Sequence, residues 1–81
     1  MSTRRVSPLS MDVGMSVLKA RKARGMTVRE LAEKAGMTTT AIINLERGTC
    51  SPTLAKLKTV ADALDMRLTI YFERTDRNAS I

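Results

Sequence analysis

The stretch Ala35–Gly48, AGMTTTAIINLERG, sets three consecutive threonines, Thr38, Thr39 and Thr40, ahead of Asn44 and Arg47. A hydroxyl can donate and accept, a side-chain amide can do both at once, and a guanidinium is a fixed fork of donors. This is the chemistry of recognition rather than of bond breaking. A nucleophile needs a base beside it, yet the chain has no histidine, and no serine, cysteine or lysine has a recognisable base next to it. No catalytic residue is therefore assigned, and an enzyme is not expected. Cys50, the single cysteine, cannot form an intrachain disulfide, and the usual zinc-ligand spacings are absent, so neither a metal nor a cofactor is expected.

Eighty-one residues bound one domain whose core is barely large enough to stand alone, which favours self-association. Fourteen basic against eight acidic residues leave a formal charge of +6, which suits a polyanionic partner. Tyr71 and Phe72 are the only aromatics, too few for the stacking platforms that hold single strands, so the nucleic acid implied is double-stranded DNA. No apolar run reaches the roughly 18 residues of a membrane span, and the N-terminus lacks the apolar segment of a secretory signal. The expectation is a cytoplasmic chain with no membrane partner.

The elements that must position the threonines follow from periodicity and caps. Residues 1–9, with Arg4, Arg5 and Pro8, read as a flexible basic arm, and residues 10–65 as the folded domain. Met11, Met15, Leu18 and, less cleanly, Val17 give a first helix from about Ser10 to Arg24, closed by Gly25. The stretch TVRE opens a second with a capping box between Thr27 and Glu30, and Val28, Leu31, Ala32 and Ala35 form its inward stripe before Gly36. Thr38 caps a third helix, Thr39 to Arg47, stopped by Gly48. Ser51 or Thr53 caps a fourth, with Leu54, Leu57, Val60, Ala61 and Leu64 repeating at three and four. In residues 66–74 the period falls to two: Met66, Leu68, Ile70 and Phe72 alternate with polar positions and Tyr71, the pattern of a half-buried strand. A fifth helix is the rival reading of that segment. Residues 75–81 read as a flexible tail.

Two short helices joined by a tight glycine turn in a small basic domain have the form of a helix-turn-helix, whose second helix enters the major groove. Ile42 and Leu45 face inward on that helix, which leaves Thr39, Thr40, Ile43, Asn44 and Arg47 outside. Threonine can bond base edges or pack on thymine methyls, Asn44 can pair bidentately with adenine, and Thr38 sits where a hydroxyl and free amides suit a phosphate. Ile43 has three open readings: scattered surface apolarity, a core residue, or a thymine-methyl contact.

Residues 26–48, MTVRELAEKAGMTTTAIINLERG, resemble the Cro/C1-type, or XRE, helix-turn-helix of phage repressors and small bacterial regulators, and the likeness extends over residues 11–65. The resemblance implies a mainly α, four-helix, lambda-repressor-like domain. It assigns DNA contact to Thr27, Val28, Arg29, Thr38, Thr39, Thr40, Asn44 and Arg47, although the family often has glutamine where this chain has Val28. It also implies a structural ion pair between Arg21 and Glu46. Asp65 stands where the family usually has glycine, so a different exit from the fourth helix is expected.

A lone strand after four helices leaves its amides and carbonyls without a neighbour, so the expected partner is another subunit. Two such strands paired about a two-fold axis would place Met66, Leu68, Ile70 and Phe72 at a homodimer interface and set the recognition helices about 34 Å apart. Helix-turn-helix chains ending in this way resemble HipB-like and HigA-like antitoxins, which repress their own operon while holding a toxin. A repressor of an inverted repeat, with a toxin as a further partner, is therefore expected. The alternatives are a regulator without a toxin and a protein-interaction adaptor built on the same scaffold. Arg4, Arg5, Arg24, Arg29 and Arg47 are expected to attract phosphate, with affinity falling as salt rises.

Overall fold

A computed structural model describes residues 8–74. Four helices follow in order: α1 (Pro8–Ala23), α2 (Val28–Ala35), α3 (Thr39–Arg47) and α4 (Leu54–Ala63). α1 packs on α3, α3 on α2, and α2 on α4. Most of the expected arm and all of the expected tail lie outside the described residues. Pro8 and Leu9, placed in the arm by the sequence, instead begin α1, and proline is well suited to a first helical turn because its missing amide has no partner there to lose.

Each cap legible in the sequence is formed. The Glu30 amide donates to the Thr27 hydroxyl at 3.0 Å while the Thr27 amide donates to the Glu30 carboxylate at 2.8 Å. Thr38 accepts from the Ala41 amide at 3.0 Å, and Thr53, not Ser51, caps α4 by accepting from Lys56 at 3.1 Å. All four exits share one geometry. The residue that follows each left-handed turn residue donates back to the carbonyl five positions earlier: Met26 to Arg21, Met37 to Ala32, Thr49 to Asn44 and Met66 to Ala61, at 2.8–3.1 Å. Three of the turns use glycine in the left-handed region, and the fourth uses Asp65 with φ 58°. The exit of α4 thus keeps the geometry of the others and does not differ as expected. Aspartate tolerates this conformation better than most side chains and a β-branched residue tolerates it worst. Asp65→Val is therefore expected to cost about 1–2 kcal/mol relative to Asp65→Gly in urea unfolding; equal midpoints would contradict the assignment.

The core consists of Val17, Leu31, Ala32, Ala35, Ile42, Leu45, Val60, Ala63 and Leu64. The inward stripes of α2 and α3 are those the spacing predicts. α1 departs: Val13, Gly14, Val17 and Ala20 face the body, while Met11 and Met15 stay 54% and 48% exposed. The cause is Gly14. An added Cβ there would lie 2.4 Å from the Leu45 carbonyl oxygen and 2.6 Å from that of Glu46, so α1 and α3 touch backbone to backbone. Only the glycine face can come that close, and turning it inward swings the methionines aside. At the other end of the same contact Gly48 is buried against the backbone of Ser10 and Met11. α4 differs in detail, with Leu54 exposed in its first turn and Ala63 buried in its last.

Among the described residues no strand occurs. Residues 66–74 carry no helix either, so the fifth-helix alternative is not met. A strand requires a ladder partner, and a single chain offers none.

Candidate nucleic-acid interface

α3 is presented by three fixed supports. The Schellman turn at Gly36 and the Thr38 cap set its angle to α2, and Gly14 holds its C-terminal end against α1. The third is an ion pair. Arg21 Nε donates to Glu46 Oε2 at 2.7 Å and Nη2 to Oε1 at 3.0 Å, while Nη1 donates to the Met26 carbonyl at 3.0 Å. The two side chains are only 11% and 9% exposed. Bonding to the Glu46 carboxylate raises the Arg21 pKa above its ordinary value; burial opposes this, and the nearby negative charge adds to it. The guanidinium therefore stays charged and ties α1, the turn before α2 and the end of α3 together. This is the structural pair the resemblance implied.

With Ile42 and Leu45 buried, the opposite side of α3 carries Thr39, Thr40, Ile43, Asn44 and Arg47, all exposed. Ile43 is 37% exposed and is not among the core residues, which removes the core reading of it. Thr27, Arg29 and Thr38 are also exposed, near the starts of the two helices. Because the Thr38 oxygen already accepts from Ala41, its hydroxyl hydrogen is the part left to donate outward. First-turn amides of α3 have no intrahelical acceptor and add positive potential at the same end. Val28 is half-buried and packs on the core, so its methyl groups serve the fold as well as any outer contact.

Two features were not anticipated. Arg24, expected to attract phosphate, sits 3.5 Å from the Asp65 carboxylate and ties the end of α1 to the exit of α4. A cleft between α3 and the α3–α4 loop brings Thr53 and Lys56 beside Asn44. The cap at Thr53 was legible, but its position next to α3 depends on how the intervening loop folds. Arg4 and Arg5 lie outside the described residues. Among the described residues no cluster of three or more metal-ligating side chains occurs, and no helix is long and apolar enough to cross a membrane.

A helix-turn-helix family model matches residues 17–71, more than half of the chain. The protein belongs to the XRE-type helix-turn-helix family. It is 43% identical over 51 residues to an uncharacterised HTH-type transcriptional regulator, y4dL, of Sinorhizobium fredii, covering 63% of this chain and 26% of that one. Against the immunity repressor protein of Bacillus phage phi105 it is 36% identical over 58 residues, covering 72% of this chain and 40% of the other. The chain thus spans well under half the length of these two relatives. Among solved structures, the restriction-modification controller protein C.Esp1396I superposes with a TM-score of 0.72 at 30% identity, over 74% of this chain and 78% of that one. The HipA-HipB-O2-O3 complex contains a chain that superposes with a TM-score of 0.69 at 23% identity, over 80% and 92% respectively, a likeness of fold.

Proposed function

We propose that this helix-turn-helix chain is a cytoplasmic transcriptional repressor that binds an inverted repeat in duplex DNA as a homodimer. The observation that carries this reading is the division of α3: one side buried, the other a continuous exposed face of Thr39, Thr40, Ile43, Asn44 and Arg47. With α3 in the major groove, Asn44 pairs with adenine, Thr39 and Thr40 reach base edges, and Ile43 packs on a thymine methyl. Thr27, Arg29, Thr38 and Arg47 bind phosphate oxygens and set the register, with Val28 at the margin. Two copies joined through Met66, Leu68, Ile70 and Phe72 address successive major grooves.

Asn44→Ala is expected to lower discrimination at one base pair per half-site by roughly 1–3 kcal/mol and to leave folding unchanged. Fluorescence anisotropy on matched and single-substituted duplexes measures this. An equal loss on every sequence would assign Asn44 to the backbone instead.

The narrower reading, an antitoxin with a toxin partner, is supported by the pattern of the C-terminal segment. The HipB-like superposition, at 23% identity, adds fold alone. A second reading, a controller of a restriction-modification system, is favoured by the 30% identity to C.Esp1396I. The adjacent reading frames separate them: a toxin-like gene supports the first, and a methyltransferase with an endonuclease supports the second.

A further inference from the structure

Between α1 and α4 runs an open groove walled by Val13, Val17 and Ala20 on one side and Leu57, Ala61 and Leu64 on the other. The chain leaving α4 crosses it, with Met66, Arg67, Leu68 and Thr69 on its margin, and of these four only Leu68 is half-buried. The alternation that sets Leu68 against the groove gives Ile70 and Phe72 the same parity, but these stand beyond its end, 55% and 99% exposed. With Met66 and Tyr71 they make an exposed apolar segment of a kind that marks an interaction surface on a small domain.

A receiving groove and a protruding apolar segment thus lie side by side on one chain, and the segment does not fill its own groove. A two-fold axis satisfies both at once, because each copy then supplies what the other lacks. We infer that Phe72 of one copy seats in the α1–α4 groove of a second copy, and reciprocally, so that the dimer is held by two exchanged aromatic rings in addition to paired strands. This rests on the homodimer reading above and specifies where its interface is anchored. Burial of one aromatic ring in an apolar site is a substantial gain, and the symmetry counts it twice.

Sedimentation equilibrium of the full chain and of Phe72→Ala tests this, together with disulfide exchange in a Cys50→Ser background. There, a chain carrying Phe72→Cys is mixed with one carrying Ser16→Cys, an exposed position on the groove margin. Dimer dissociation of Phe72→Ala is expected to be at least about tenfold easier, with an unchanged melting curve in dilute solution, and the mixed disulfide is expected to outgrow both symmetric ones. A wild-type chain that stays monomeric overturns both the homodimer reading and this inference. A wild-type dimer that Phe72→Ala leaves intact overturns the inference alone. Weakening without a preferred mixed disulfide also overturns it, since Phe72 would then act in the strand pair and not in the groove.

Discussion

Gly14→Val is expected to lower the stability of the chain by at least about 3 kcal/mol, and Gly14→Ala by about 2 kcal/mol. A domain of this length holds only on the order of 4–12 kcal/mol. Alanine at a helix interior ordinarily gains about 1 kcal/mol over glycine, but here its Cβ would meet two carbonyl oxygens of α3 at 2.4 and 2.6 Å. Backbone cannot step aside as a flexible side chain can, so the overpacking cost of up to about 3 kcal/mol applies at its upper end. Valine forgoes the helix gain and adds two more methyl groups to the same contact. Urea unfolding followed by circular dichroism measures both variants. A Gly14→Ala protein more stable than the parent would mean that α1 and α3 do not touch here.

Gly14 also marks where the sequence stops being legible. Caps and exits could be read because they are local: a hydroxyl three residues before a glutamate, a glycine after an apolar stripe. The inward faces of α2 and α3 could be read because each helix has one coherent apolar side. α1 has two, Met11–Met15–Leu18 and Val13–Val17–Ala20, and periodicity cannot choose between them. The choice is made by contact with α3, which the sequence records only as an isolated glycine. The C-terminal segment shows a different limit. Its alternation specifies which side chains share a side, whereas the ladder that would make it a strand lies between chains.

The candidate interface was read by elimination. Once Ile42 and Leu45 are committed to the core, the helix geometry leaves Thr39, Thr40, Ile43, Asn44 and Arg47 outside, and all five are exposed. Lys56 escaped notice because only the folded loop brings α4 beside Asn44.

Glu46→Ala is expected to cost about 3 kcal/mol, because it leaves the Arg21 guanidinium largely buried without its carboxylate. Arg21→Ala should cost a similar amount, and it also removes a donor from the Met26 carbonyl. The informative variant is the pair Arg21→Met with Glu46→Leu, which removes both charges and keeps apolar bulk. Its loss is expected to be well below the sum of the losses of Arg21→Met alone and Glu46→Leu alone, and chemical denaturation of these three variants closes the cycle. Additive losses would show that the two residues do not act as a pair. The consequence extends to function, since this pair fixes the end of α3 and with it the direction in which Asn44 and Arg47 point.

Selection from a random-sequence duplex library, with the parent chain and Asn44→Ala in parallel, tests the central claim most directly. The outward side of α3 reading bases predicts that the parent enriches an inverted repeat with half-sites about one helical turn, 10–10.5 base pairs, apart. Asn44→Ala should then enrich the same repeat with one position per half-site relaxed, symmetrically in the two halves. Failure of the parent to enrich any sequence, or an identical motif from the variant, would contradict the assignment of this helix to base recognition.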